Sequence, residues 1–245
     1  MSRGHMKIRA VIFDIYGTLF QIGPPPTKAD DSWQELFKEF FKSEPPLSRL
    51  SFSVACSRAI ANRNTNAHGR GIPRPEVLWP SVVGEVLPKF AKLSEEKQVD
   101  FVYRQMQLGR SISLARGVPD MLRWLAGKKC LLGVASNGQA YTVQELEALL
   151  KKERIKPEIF DSEVRFISFR HGFAKPDPHV FQLIRMGLES RGVRPVQTLV
   201  VGDRLDNDIE PARVHGFNTW HLCSSSPEKQ SGTLSQLREH LVRWV

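Results

Sequence analysis

Residues 8–19 of the chain read IRAVIFDIYGTL. The stretch up to Phe13 is mostly apolar and contains several β-branched residues, a pattern typical of a strand buried in a parallel sheet. The run ends at Asp14 and passes into a turn at Gly17 and Thr18. The segment therefore predicts a central strand that carries a carboxylate at its C-terminal end.

Three later segments have the same form, an apolar run followed by a polar residue. Strands are predicted over residues 130–135, 163–169 and 198–201. Helical patterns lie between them, and strands that alternate with helices in this way form βαβ units around a parallel sheet. Because the C-terminal ends of parallel strands share one edge of the sheet, where ligands bind, we expect residues far apart in sequence to converge there. The residues are Asp14, Ser136, Lys175 and Asp203.

A long helical block separates the first predicted strand from the second. Its first helix is predicted to be capped by Asp31 or Ser32. Three more helices are predicted over residues 52–61, 76–90 and 94–108, with a polar loop over residues 62–75. At the other end of the chain, a loop is predicted over residues 224–232 and a final helix over residues 234–241. The sequence thus predicts an α/β fold in which residues 1–20 and 111–245 form the core and residues 21–110 an inserted α-helical cap domain.

Size and composition place the chain among ordinary globular proteins. It has 245 residues, of which 41% are hydrophobic and 25% charged. No apolar run reaches the roughly 18 residues that a transmembrane helix needs, and Asp14 interrupts the apolar run near the N-terminus. We therefore expect neither a membrane span nor a signal peptide. Three scattered cysteines fit reduced thiols in the cytoplasm rather than a disulfide frame or a zinc site.

The charge balance bears on the partners. The chain carries 35 basic and 26 acidic residues, a net charge of +9. The excess is spread along the chain, whereas nucleic-acid-binding proteins more often concentrate it in a stripe or arm. The sequence therefore favours a field that attracts a small anionic substrate over a nucleic-acid partner.

Four motifs, taken together and in order, resemble those of the haloacid dehalogenase-like (HAD) hydrolase superfamily. They read FDIYGTL at residues 13–19, ASNG at 135–138, KPDP at 175–178 and VGDRLDND at 201–208. Each motif alone is weak, but four in this order, each at a predicted strand end, form a specific signal. The position of the insert resembles that of the helical-cap branch, subfamily I. The resemblance implies a Rossmann-like three-layer core around a parallel sheet, with the cap inserted after the first strand.

The resemblance also implies roles for individual residues. Asp14 would be a nucleophile that attacks phosphorus and forms an aspartyl-phosphate, and Asp203 points to Mg²⁺ as the cofactor. The implied function is a Mg²⁺-dependent phosphatase that acts on a small phosphate monoester. The implied catalytic residues are Asp14, Tyr16, Ser136 and Lys175, the substrate-binding residues Thr18, Ser136, Asn137 and Lys175, and the metal ligands Asp14, Tyr16 through its carbonyl, Asp203 and Asp208.

One position departs from the phosphatase pattern. Phosphatases of this superfamily usually carry an aspartate two residues after the nucleophile as general acid and base, and here that residue is Tyr16. A phenol with a pKa near 10 is a weak base at neutral pH. Tyrosine at this position resembles the 2-haloacid dehalogenases, whereas the acidic motif at Asp203 resembles the phosphatases. Two alternatives therefore stay open: a dehalogenase-like hydrolase, and a binding or regulatory protein with weak catalysis.

Overall fold

The computed structural model describes residues 7–224 and 230–245. Parallel strands form a six-stranded sheet in the order β5-β4-β1-β6-β7-β8, and β2 pairs with β3 in a separate antiparallel ribbon. The strands are β1 (Ala10–Phe13), β2 (Phe20–Gly23), β3 (Ser111–Leu114), β4 (Leu131–Ser136), β5 (Arg165–Ile167), β6 (Thr198–Gly202), β7 (Asn218–Leu222) and β8 (Ser231–Gly232).

Helices cover both faces of the sheet and fill the long insertion. They are α1 (Ala29–Phe41), α2 (Arg49–Gly69), α3 (Trp79–Val86), α4 (Glu95–Gly109), α5 (Val118–Gly127), α6 (Ala140–Lys152), α7 (Pro178–Ser190), α8 (Glu210–Val214) and α9 (Leu234–Leu241).

The first strand lies at the centre of the sheet because all of its side chains are apolar and fully buried. Val11 and Phe13 pack into the hydrophobic cluster that includes α5, α6 and α9. Ala10 and Ile12 point to the opposite face and pack into the cluster that includes α7 and α8. A strand buried on both faces needs apolar residues at every position, which the sequence supplies. The sheet and the helices on its two faces form three layers, which confirm the predicted Rossmann-like α/β fold with a helical insertion.

The strand register brings the predicted site to one edge of the sheet. Phe13 pairs with Val134 on β4 and with Val201 on β6, so that β1 is flanked by both neighbours up to its last residue. Asp14 follows Phe13 directly, and Asp203 follows the last residue of β6. The motif residues therefore emerge side by side.

Residues 24–110, here called the helical insert, contain α1–α4 and have an apolar core of their own. Trp33 of α1 stacks on Phe52 of α2 at a ring-centroid distance of 5.0 Å, and Phe101 of α4 lies 6.2 Å from Trp33. β2 and β3 flank the insert on either side, and their pairing brings its two ends together. Such closely spaced ends are what allow a compact unit to be inserted into a loop of the core.

Within the insert, several sequence predictions were wrong. The first helix begins at Ala29, so Asp31 and Ser32 lie inside it and neither is its cap. The second runs from Arg49 to Gly69, so the predicted loop over residues 62–75 is helical in its first half, where Arg63 forms an ion pair with Glu85. The predicted helix over residues 76–90 is the shorter α3, and β2 and β3 were not predicted.

In the core, the elements were located correctly but their ends shifted. The predicted strand over residues 163–169 is only the three-residue β5, flanked by single 3₁₀ turns. The final helix occupies residues 234–241 as predicted. Most of the predicted loop over residues 224–232 lies outside the described residues, and its last part forms β8. Within the described residues, no helix is both long and apolar enough to cross a membrane.

Candidate active site

The buried side chain of Lys175 contacts residues at or after the C-terminal ends of β1, β4 and β6. The Lys175 ammonium donates hydrogen bonds to Asp14 Oδ1 at 2.7 Å, to Asp208 Oδ1 at 2.5 Å and to the Ala135 carbonyl at 2.7 Å. Lys175 is 5% exposed and Asp14 is 8% exposed. Burial opposes the charged form of Lys175, but Asp14 and Asp208 outweigh it and raise its pKa. The lysine is therefore an ammonium that neutralises part of the negative charge around Asp14.

Three carboxylates meet at the same place. Asp14, Asp203 and Asp208 each present an oxygen, and these oxygens all lie within 4.8 Å of one another. Burial, together with Asp208 and Asp203, raises the pKa of Asp14 to about 6 against the opposing charge of Lys175. Three carboxylates and one ammonium leave two uncompensated negative charges when ionised, a balance that suits a divalent cation bound by oxygen ligands.

Two glycines create the space in which these carboxylates sit. A Cβ on Gly17, whose φ is +85°, would lie 2.3 Å from Asp203 Oδ2. A Cβ on Gly202 would lie 2.4 Å from Asp208 Oδ2. Both contacts are far below van der Waals separation, so the acidic cluster needs glycine at each position. The backbone amide of Arg204 donates to Asp208 Oδ2 at 3.1 Å and fixes that carboxylate.

Of the residues between and around the carboxylates, Asn137 has the clearest structural role. Its side-chain oxygen accepts from the Lys175 amide at 2.7 Å, and its side-chain nitrogen donates to the Lys175 carbonyl at 2.9 Å. It thus fixes the backbone of the lysine loop, a contact that the sequence did not predict. Ser136, the last residue of β4, is buried at the same sheet edge. Thr18 is fully buried, and within the described residues its hydroxyl has no hydrogen-bond partner.

The structure places the hydroxyl of Tyr16 in a polar network rather than leaving it free. The hydroxyl donates to Glu145 Oε2 at 2.6 Å, and Arg110 Nη2 donates to the phenol oxygen at 2.8 Å. Thr142 Oγ1 lies 3.0 Å from the same oxygen. Burial and the Glu145 charge raise the pKa of the phenol well above its usual range. Tyr16 is therefore a neutral phenol whose proton is held by Glu145.

Sequence reasoning singled out Tyr16 but missed Glu145, Arg110 and Gln107 around it. Glu145 occupies the buried face of α6, where the neighbouring buried positions are Leu146 and Leu149. A carboxylate in an apolar stripe is the one signal that could have pointed to it, since an acidic residue is seldom fully buried without a partner. Asp206, in contrast, lies on the surface and pairs with Arg204 at 2.6 Å, outside the acidic cluster.

The family model of the haloacid dehalogenase-like hydrolases matches residues 8–216, and the chain belongs to this family of hydrolases. Glyceraldehyde 3-phosphate phosphatase from Methanocaldococcus jannaschii is 32% identical over 111 residues, a match that covers 44% of this chain and 45% of that protein. The matched region thus spans less than half the length of that curated relative.

Two solved structures show the same fold at low sequence identity. The 2-haloacid dehalogenase from Pseudomonas syringae pv. Tomato DC3000 superposes with a TM-score of 0.64 at 21% identity, covering 97% of this chain and all of that one. The HAD-hydrolase YfnB from Bacillus subtilis, bound to magnesium, superposes with a TM-score of 0.53 at 19% identity, covering 96% of this chain and 99% of that one.

Proposed function

We propose that the protein is a Mg²⁺-dependent phosphatase that acts on a small phosphate monoester with Asp14 as the nucleophile. The observation that carries the proposal is the acidic cluster of Asp14, Asp203 and Asp208 with Lys175 at its centre. In addition, the relative that is 32% identical over part of its length is a phosphatase of a small phosphorylated aldehyde.

The residues present fit a divalent cation. Asp14, Asp203 and Asp208, with the backbone carbonyl of Tyr16, would hold Mg²⁺ in the space that Gly17 keeps open. When bound, Mg²⁺ would supply charge neutralisation for the phosphoryl oxygens and would favour the ionised form of Asp14.

In the first half of the reaction, an Asp14 carboxylate oxygen attacks phosphorus and the bond between phosphorus and the ester oxygen breaks. The Lys175 ammonium, which already binds Asp14 Oδ1, stabilises the charge on the transferring oxygens together with the Ser136 hydroxyl and the Asn137 backbone amide. The leaving alkoxide takes its proton from water. In the second half, water attacks the phosphorus of the aspartyl-phosphate, phosphate departs and the Asp14 carboxylate is regenerated.

The contacts of Tyr16 support a positioning part for this residue in the scheme, rather than the acid role. Its hydroxyl proton is held by Glu145, and its raised pKa makes it a poor acid at neutral pH. Water therefore serves as acid and base where many phosphatases use an aspartate, and turnover is expected to be slow.

A dehalogenase-like reaction is the second candidate, and the observation that favours it is Tyr16 within the segment at residues 13–19. Two observations favour the phosphatase instead. Asp203 belongs to the acidic cluster, and the first arginine after the nucleophile, Arg49, pairs with Asp30 at 2.7 Å on the helical insert. That pairing argues against Arg49 as a halide-binding residue.

The deciding experiment is phosphate release from a broad panel of phosphate monoesters, with glyceraldehyde 3-phosphate among them, in Mg²⁺ and in excess chelator. We expect release that requires Mg²⁺. Halide release from 2-haloacids in chelator would instead establish the dehalogenase. Silence in both assays by the folded protein would favour a binding or regulatory function.

We propose that residues 21–110 act as a cap domain over a core formed by residues 1–20 and 111–245, and that the cap selects the substrate. Cys56, Cys130 and Cys223 are free thiols, which fits the cytoplasm as the compartment. A small phosphorylated molecule, rather than nucleic acid or a membrane, is the expected partner.

A further inference from the structure

A buried carboxylate connects the helical insert to the loop that follows the proposed nucleophile. Glu145 of α6 is 1% exposed. Its Oε2 accepts from Arg110 Nη2 at 2.9 Å and from the Tyr16 hydroxyl at 2.6 Å. Its Oε1 accepts from Gln107 Nε2 at 2.8 Å and from Arg110 Nη2 at 3.1 Å. Both oxygens of the carboxylate are therefore engaged.

The partners of Glu145 come from three segments with different roles. Gln107 lies in the last turn of α4, and Arg110 follows that helix at the base of the insert. Tyr16 lies two residues after Asp14. Glu145 itself belongs to the helix that begins just after Ser136 and Asn137. One carboxylate thus links the insert, the nucleophile loop and the end of β4.

The contact is built to be specific. The Arg110 guanidinium lies over the ring of Tyr16 at 4.4 Å and 5.9 Å from the ring of Tyr141, so it has aromatic neighbours as well as a buried anion. Removing one partner of a buried ion pair leaves the other charge without compensation, which is strongly destabilising. Loss of the Glu145 charge should therefore break the whole contact.

The residue that caps the N-terminus of α6, Gln139, contacts the insert at a second place. The side-chain oxygen of Gln139 accepts from the Trp79 amide at 2.9 Å, and its nitrogen donates to the Val77 carbonyl at 2.7 Å. With both contacts formed, the proposed nucleophile is 8% exposed. The insert is therefore tied to the core at two places, through Glu145 and through Gln139.

We propose that Glu145 is a positioning residue that holds the insert closed on the core and, through Tyr16, fixes the loop that carries Asp14. Its catalytic consequence rests on the proposed phosphatase function, whereas its effect on closure does not. Loss of the carboxylate charge frees Arg110 and lets the base of the insert separate from α6. The nucleophile loop then loses both the hydrogen bond from Tyr16 and the ion pair that holds Arg110 over the Tyr16 ring.

The test compares Glu145→Gln with the wild-type protein. Hydrogen–deuterium exchange measures closure, and steady-state phosphatase kinetics measure the effect on catalysis. Amides over residues 14–20 and 107–114 should exchange about 10-fold faster, while those inside α1 and α2 keep their rates. A nucleophile loop displaced by about 1 Å lowers kcat by about 100-fold. KM rises as well, since the closed form is less populated.

The matched control is Glu39→Gln. Glu39 forms a bidentate ion pair with Arg104, at 2.7 Å for both bonds, between α1 and α4 on the exposed surface of the insert. Its loss breaks an arginine–glutamate ion pair whose Arg104 lies on the same helix as Gln107 but away from the site, so exchange near Asp14 and kcat should stay unchanged. Gln107→Leu is the milder second variant, because it removes one neutral donor from Glu145 and keeps the ion pair.

The outcomes separate the possibilities. Locally faster exchange in Glu145→Gln, and to a smaller extent in Gln107→Leu, supports the proposal. Unchanged exchange in both variants overturns it, and so does faster exchange spread evenly over the chain, which would mean that Glu145 only stabilises the fold. If Glu145→Gln does not fold, Gln107→Leu decides alone. If the unchanged protein releases no phosphate, the proposed function fails while the exchange result still tests closure.

Discussion

The ammonium nitrogen of Lys175 lies 2.7 Å from Oδ1 of Asp14, although 161 residues separate the two in sequence. The same nitrogen lies 2.5 Å from Asp208 Oδ1, so one buried cation bridges two carboxylates from different strand ends. The parallel sheet makes this possible because β1 and β6 are neighbours that end at the same edge. Lys175 therefore links the fold to the charge balance of the proposed active site.

Removing that cation should damage both stability and activity. Lys175→Met leaves Asp14 and Asp208 buried without their partner, so we expect the free energy of unfolding in chelator to fall by about 3–5 kcal/mol and phosphate release to be lost. Urea unfolding and the phosphatase assay measure the two effects. Lys38→Met, which removes an exposed pair with Glu44, is the control and should change neither by much. Full activity in Lys175→Met would contradict the assigned role.

The glycine beneath Asp203 should control the affinity for Mg²⁺. Gly17→Ala places a Cβ 2.3 Å from Asp203 Oδ2 and forces that carboxylate to move. Gly117 has the same φ of +85° but open space around the position of a Cβ. Both alanine variants should lose about 1 kcal/mol of stability to backbone strain. Only Gly17→Ala should raise the Mg²⁺ concentration for half-maximal activity, by about 10-fold, in a metal titration. Equal Mg²⁺ requirements in both variants would exclude Asp203 as a ligand.

Replacing Asn137 should lower activity because its side chain fixes the backbone of the loop that carries Lys175. Asn137→Ala removes two hydrogen bonds to the Lys175 backbone, so we expect kcat to fall by about 10–100-fold with about 1–2 kcal/mol of lost stability. Steady-state kinetics and thermal unfolding report both. Asn218→Ala removes side-chain bonds to Val196 and Thr198 at the other end of the sheet and should cost stability alone. A similar kcat for both variants would show that Asn137 does not position Lys175.

The phenol of Tyr16 should be dispensable as an acid. Tyr16→Phe keeps the ring under Arg110 and leaves the pair between Arg110 and Glu145 in place. We expect kcat to fall less than about 10-fold, because the Arg110 stacking and its pair with Glu145 still hold the ring, whereas loss of a general acid costs about 100–10,000-fold. The pH profile of kcat should also keep its shape. A fall of several hundred-fold would return the acid role to Tyr16.

The core could be predicted from the sequence because its elements have strong local patterns. β1 is apolar at every position, and α9 begins at a threonine cap and ends as predicted at residue 241. The polar residues at strand ends follow from topology alone, since parallel strands end at a shared edge. For these reasons the sequence alone predicts that Asp14, Lys175 and Asp203 lie close together.

The insert and the network around Tyr16 could not be predicted in the same way. The second half of α2 is polar, so its sequence pattern resembles a loop. Its contact with α3, an ion pair between Arg63 and Glu85, is visible only in the folded structure. β2 and β3 lie nearly 90 residues apart and pair only because the insert folds between them. The hydrogen-bond partners of Glu145 are distant in sequence. Local sequence patterns therefore give no reason to place it beside Tyr16.

The most direct test of the central claim compares phosphate release by the unchanged protein and by Asp14→Asn, in Mg²⁺, on the best ester of the panel. Asparagine keeps the shape of the side chain and removes the nucleophilic oxygen. Our account predicts that release falls at least about 1,000-fold while the variant unfolds at a similar urea concentration. Phosphate release at an undiminished rate by Asp14→Asn would contradict the account.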